Sequence, residues 1–332
     1  MMRKLFRDIY YLFHSGKNSK LLYFLKSEWL TRVPRPLSRW WLLGSPWADV
    51  SSLPVDEETR DRVDYYCRLT PASRWDEAEW RRRSVRVGDQ RVFRPKVYYY
   101  DSMVYARLFS PASRWVLVPG DISTRLPVPS ITKSRPIGSG NECSVLMKLD
   151  KVRHYVYAND KRPWRDKQDK AVFRGGIGGE RRIDMRRPFV ERWFGHPLFD
   201  IGVLDAEYPE WRVRPMTIRE QLAYKFVISL EGFDVASNLK WVMSSNSVAV
   251  MPRPVIETWF MEGRLVPDYH YIEVKPDFSD VAERLRYYLA HPEEAEAILR
   301  HQHEWVARFR DRRRESVISL LVLDRYFKMT NR

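Results

Sequence analysis

The chain has 332 residues, 44% hydrophobic and 14% aromatic, enough apolar mass for a sizeable core and unlike the aromatic-poor composition of a disordered chain. Fifty-eight Lys and Arg against 43 Asp and Glu leave a net charge of +15, which suits an anionic partner; two cysteines, Cys67 and Cys143, exclude a disulfide framework and fit a reducing compartment. No apolar run reaches the ~18–20 residues of a spanning helix and the N-terminus lacks a cleavable signal, so a cytoplasmic protein of two domains is expected.

The chain opens with Leu5, Phe6, Ile9, Leu12 and Phe13 at helical spacing among basic residues. Residues 1–40 hold nine Lys and Arg against Asp8 and Glu28, so this amphipathic helix either lies on an anionic membrane face or packs on the first domain. Residues 92–108 and 115–118 are rich in β-branched and aromatic types and read as strands, the second running into Pro119-Gly120-Asp121. A helix is expected over Ser144–His154, and the charged stretch Lys161–Lys170 with Pro163 marks a linker, dividing the chain into 1–165 and 166–332.

The second half alternates strand and helix, which argues for a parallel α/β sheet. Strands are expected at Ala171–Phe173, Phe226–Leu230, Val248–Met251 and His270–Val274, and helices over Ile183–Phe194 and Ser237–Met243. Two further helices begin at Asp280 and at Pro292, and a terminal one covers Glu315–Met329.

Two turns between strand and helix carry the candidate chemistry. In Phe173-Arg174-Gly175-Gly176-Ile177-Gly178-Gly179-Glu180-Arg181-Arg182 the glycines let backbone approach a ligand, and the next helix start offers N–H groups to a phosphate. The pattern matches neither Walker A nor G-x-G-x-x-G, so a flexible glycine turn with solvated arginines reads equally well. The second, Leu230-Glu231-Gly232 through Ser237-Asn238-Leu239-Lys240, is open to a plain capping role for Ser237 and Asn238. On one parallel sheet the two would stand together at the carboxyl ends of neighbouring strands.

Lys170-Ala-Val-Phe-Arg-Gly-Gly with its downstream arginine pair, Tyr224-Lys-Phe-Val-Ile-Ser-Leu-Glu-Gly, Ala236-Ser-Asn-Leu-Lys240, Ser245-Asn-Ser-Val-Ala-Val, Pro267-Asp-Tyr-His-Tyr-Ile-Glu-Val and Asp277-Phe-Ser-Asp280 come in order. As a set they resemble the signature blocks of glycosyltransferase family 90, which includes capsule-associated xylosyltransferases, protein O-glucosyltransferases and lipopolysaccharide-core transferases. The resemblance implies a GT-B-like α/β fold, two Rossmann-like domains facing a cleft, and inverting transfer of a sugar from a UDP-sugar donor. It places Arg174 and Arg182 on the diphosphate beside Gly175 and Gly176, and Ser237, Asn238 and Lys240 in the nucleotide block. Eukaryotic members carry an arginine where this chain has Leu239.

The sequence has no Asp-x-Asp, the usual metal-diphosphate handle, so no metal or other cofactor is expected and arginines are to meet the leaving-group charge. Glu257 and His270 are candidates for the donor sugar, although a lone His on a strand is more often structural. Asp121 is the candidate catalytic base, at the end of a strand upstream of the arginine-glycine turn; its plain alternative is a turn or capping residue. The expected partners are a UDP-sugar, a glycan or glycolipid acceptor and an anionic membrane surface, with no nucleic acid. Two other readings remain open: a basic nucleic-acid-binding module, and an inactive scaffold that binds sugar nucleotide.

Overall fold

The computed structural model describes residues 16–45, 49, 50, 53, 55–178 and 185–331. The segment Leu5–Phe13 and Arg182 lie outside these residues. The described chain forms two compact units, neither of them one stretch of sequence. A helical unit holds Ser19–Val152, Val255–Met261 and the chain from Phe309 onward; a sheet unit holds Arg153–Pro254 and Glu262–Arg308, with the described residues up to Asn18.

The helical unit begins with α1 (Lys20–Arg32), α2 (Arg35–Leu43), α3 (Glu57–Tyr66) and α4 (Glu77–Arg83). Ser19, Asp56 and Asp76 start α1, α3 and α4 by accepting a first-turn N–H, which no helical carbonyl can reach. Strand β1 (Val85–Arg86) pairs antiparallel with β2 (Arg114–Trp115), and α5 (Lys96–Ala106) lies between them in sequence.

Helix α5 overturns the strand expected over 92–108. Tyr98 and every residue from Tyr100 to Ala106 are buried, so packing on all sides overrides the preference of aromatic and β-branched types for a pleated surface. The expected helix Ser144–His154 also divides: β3 (Ser130–Thr132) and β4 (Ser134–Pro136) are followed by β5 (Ser144–Leu146), which pairs parallel with β3, and by the single turn α6 (Lys151–His154). All six residues of β3 and β5 are buried, and a short apolar run buried on both faces does not reveal its period. The extended stretch over 115–118 is present, with the Val118 N–H donating to the Ile131 carbonyl at 2.9 Å.

In the sheet unit β6 (Gln168–Gly175), α7 (Arg186–Trp193), β7 (Phe199–Val203), α8 (Ile218–Gln221), β8 (Tyr224–Ile228), α9 (Leu239–Met243) and β9 (Val248–Met251) follow one another. Strand β10 (Ile256–Thr258) belongs to the helical unit, where it pairs antiparallel with β4. Strand β11 (Ile272–Glu273), α10 (Val281–Ala290) and α11 (Pro292–Ala307) complete the sheet unit, and α12 (Arg312–Thr330) returns to the helical one. The sheet is five-stranded and parallel, in the order β11-β9-β8-β6-β7. The alternation read from sequence is therefore real, with β7 an addition. Phe173, Phe226, Ile228 and Val250 from the strands, with Phe189, Val281, Leu285 and Ile298 from the helices, fill its core. Asp280 precedes α10, but its carboxylate accepts the Lys275 N–H at 2.9 Å instead of capping the helix.

Candidate active site

Taken in chain order, the strands of the sheet stand second, first, third, fourth, fifth, so the winding changes direction between β6 and β8. Open parallel sheets bind ligands at the carboxyl ends of their strands beside such a change. The glycine turn after β6 and the Ser229–Asp234 turn after β8 occupy that edge. Arg186, at the start of α7, ties them together: its guanidinium donates to the Leu230 carbonyl at 3.0 and 3.2 Å and to the Gly176 carbonyl at 3.3 Å. A small pocket, partly open to solvent, lies by the second turn, lined by Ser229, Glu231, Val235, Ala236, Leu239 and Glu262 among others. The buried Ser229 hydroxyl has no hydrogen-bond partner among the described residues. Such a group is costly unless a ligand satisfies it.

The backbone N–H groups of Ile177 and Gly178 converge on the Asp205 carboxylate at 2.5 and 2.8 Å. Successive N–H groups of this kind make an anion-binding concavity, and here a carboxylate sits in it. A Cβ at Gly175 would come within 2.9 Å of the buried Phe173 ring, so that position needs glycine for space, whereas one at Gly178 would meet the carboxylate of the exposed Glu207, which can swing aside.

Arg174 does not face this turn. Its guanidinium runs back along the sheet and donates to the Asp200 carbonyl at 2.7 Å and carboxylate at 2.6 Å. Burial works to raise the Asp200 carboxyl, but hydrogen bonds from Tyr224 and Arg174 hold it below the usual carboxylate range. Burial and the bond to Asp200 push the Tyr224 phenol up to about 12. The Arg174 Nε is buried without a partner among the described residues.

Of Ser237, Asn238 and Lys240, only Ser237 is exposed. The Asn238 side-chain amide donates to the Ile228 carbonyl at 3.0 Å and braces the end of β8. Lys240 is fully buried, its ammonium 2.6 Å from Glu262. This pair sits behind the pocket wall that Glu262 forms.

Asp121 and Glu257 belong to the helical unit. Asp121 follows the extended stretch as expected and pairs with the ammonium of Lys133; the Asp121 side chain is 24% exposed, Lys133 only 2%. Glu257 sits on β10 opposite Arg135 and is 1% exposed. Its carboxylate accepts from the Arg135 Nε at 2.7 Å and from the Tyr65 hydroxyl, with Arg68 at 3.4 Å. Arg174, Gly175, Gly176, Ser237, Asn238 and Lys240 thus belong to the sheet unit, and Glu257 to the helical unit.

His270 packs against Tyr269 and Trp305 and accepts the Val266 N–H on Nδ1 at 2.9 Å, the structural alternative for that residue. Arg186, Asp205, Ser229 and Glu262 escaped the sequence reading. Arg186 sits in a charged run without a pattern, Glu262 stands between an apolar run and Gly263 without one, and Asp205 follows the one strand the alternation did not reveal.

Residues 140–329 match the sequence model of the family described as glycosyl transferase family 90. The O-glucosyltransferase LpsA of Dichelobacter nodosus is 40% identical over 238 residues, which cover 71% of this chain and 74% of that protein. Protein O-glucosyltransferase 3 of Rattus norvegicus is 25% identical over 150 residues, 43% of this chain and 28% of the rat protein.

Proposed function

The chain belongs to glycosyl transferase family 90, and from that premise we propose that it moves a hexose or pentose, with inversion, from a UDP-sugar to a hydroxyl of an acceptor glycan in lipopolysaccharide-core or capsule synthesis. Glycosyl transfer itself follows from the family and from the relative that covers most of the chain. The names of the relatives, O-glucosyltransferases, favour glucose as the sugar. In this reading the sheet unit is the donor half and the helical unit the acceptor half of a GT-B-like enzyme.

One observation carries the donor assignment: a pocket with an unpartnered buried hydroxyl adjoins the turn after β8, which Arg186 joins to the glycine turn at the carboxyl edge of the sheet. The donor diphosphate takes over the Ile177 and Gly178 N–H groups from Asp205, and Arg186 with Arg182 offsets its charge. Ser229, Glu231 and Glu262 then face the sugar hydroxyls, while Asp121 takes the acceptor proton. Arg174 acts on the diphosphate only if it leaves Asp200, and otherwise braces the sheet beneath it.

Calorimetric titration with UDP and a panel of UDP-sugars, followed by acceptor-free hydrolysis, tests this reading. UDP-glucose should bind and be slowly hydrolysed. A chain that neither binds nor hydrolyses any UDP-sugar sinks it.

A further inference from the structure

Helix α1 carries apolar side chains on two faces. Ser27 and Leu30 turn inward, whereas Leu21, Leu22, Leu25 and Trp29 are 46–69% exposed. At ~100° per residue these four fall within an arc of roughly 100°. On α2, Leu37, Trp40 and Trp41 form a similar exposed arc. The two arcs are one surface, because the Trp29 and Trp41 rings meet edge to face with centroids 5.6 Å apart and the Lys26 ammonium stands 5.4 Å over the Trp41 ring.

The fold holds this surface in place. Arg107, at the end of α5, donates to the Leu30 carbonyl at 2.6 Å, to the Val33 carbonyl at 2.7 Å and to the Ser38 hydroxyl at 2.9 Å. The turn between the helices is thereby pinned from beneath. Scattered exposed apolar residues need no explanation, but three tryptophans and four leucines on one rigid face do.

Charge selects the occupant. Lys20, Lys26, Arg32, Arg35 and Arg39 lie on the two helices against a single carboxylate, Glu28. Glu28 is itself engaged by Arg32 and by the Tyr100 hydroxyl. A second copy would bring the same cations against these and be repelled. Leucines suited to acyl chains, indoles suited to the headgroup level and a basic rim suited to lipid phosphates match an anionic bilayer. Helix α1 is ~20 Å long by its rise, short of the ~30 Å hydrocarbon core, and among the described residues no helix is long and apolar enough to cross a membrane.

We propose that the exposed face of α1 and α2 docks in the plane of an anionic lipid bilayer. This surface lies wholly within the helical unit and involves no step of sugar transfer.

Flotation of the full chain with vesicles of phosphatidylglycerol and phosphatidylcholine, and with phosphatidylcholine alone, provides the test. Binding should require the anionic lipid and weaken as NaCl rises from 50 to 500 mM. The triple variant Leu25→Ser, Trp40→Ser, Trp41→Ser and the double variant Leu21→Ser, Leu25→Ser should each lower partition by ~10-fold or more while keeping the native Tm, since they remove exposed side chains. Both should also keep UDP-sugar hydrolysis, so failure of the docking proposal and failure of the transfer reading are told apart. Either variant floating as well as the native chain overturns the proposal. So does a native chain that ignores vesicles and self-associates through this face, an association that the triple variant abolishes.

Discussion

A carboxylate that takes a proton from an acceptor hydroxyl must be held in one orientation and still be reachable. Asp121 meets both conditions through Lys133, whose buried ammonium fixes one side of a carboxylate that stays about a quarter open. Asp121→Asn keeps the shape and removes the proposed base, so donor affinity should stay near native while turnover falls by ~10²–10⁴; near-native turnover, or lost donor binding, refutes the role. His270 makes a different prediction. Burial, with His301 and Arg308 nearby, lowers its pKa from 6.5 to about 4. The unfolded chain thus binds the extra proton first, and the stability conferred by the neutral ring is complete above pH ~6.5 and lost as pH falls towards ~4. His270→Gln should flatten this acid limb by ~1–2 kcal/mol, as read from urea unfolding at pH 7 and 4.5. Residue type and position after a strand singled out Asp121, Arg174 and Ser237, but the direction of a side chain was not legible. Lys240 turns to Glu262, and Glu257 to Arg135, because partners far away in sequence satisfy them.

At the level of elements, the parallel sheet was legible because its strands are short apolar runs between turn residues, each followed by a helical pattern. The helical unit was not, because α5 is buried on every side and β5 is only three residues long. Nor does local sequence show that α12 is fastened by Glu315, which accepts from Arg62 at 2.6 Å, Lys148 at 2.6 Å and the Trp259 indole at 2.8 Å. Arg62 lies 253 residues away from it. Burial opposes the ionised Glu315 carboxyl, yet Lys148 and Arg62 hold it below the usual range. Glu315→Gln leaves two buried cations without their carboxylate, so it should cost ~3–5 kcal/mol, seen as a lower urea midpoint at unchanged m-value. A loss below ~1 kcal/mol means that α12 is held by its apolar face alone.

Over the whole molecule, a net charge of +15 invites a polyanion, and the distribution of that charge argues for a small one. Arg62, Arg135, Lys148, Lys167 and Lys240 are almost enclosed and paired with Glu315, Glu257, Glu315, Asp160 and Glu262, so they neutralise interior carboxylates and offer nothing to a phosphate backbone. A further group of cations rims the tryptophan face of α1 and α2. The proposed donor edge of the sheet holds Arg186 and two convergent N–H groups, now on the Gly176 and Leu230 carbonyls and on Asp205, a number suited to one diphosphate. Single-stranded nucleic acid gripped by a basic groove releases many counterions, and six phosphate contacts would weaken binding by more than ~100-fold between 50 and 200 mM salt. A diphosphate at this edge makes about two such contacts and should lose less than ~10-fold over the same range. Parallel titrations with UDP and with a 20-nucleotide single strand at both salt concentrations decide the matter. UDP should bind with the shallow dependence and the oligonucleotide only weakly; tight, salt-steep oligonucleotide binding with no UDP binding would reverse the assignment of the donor edge.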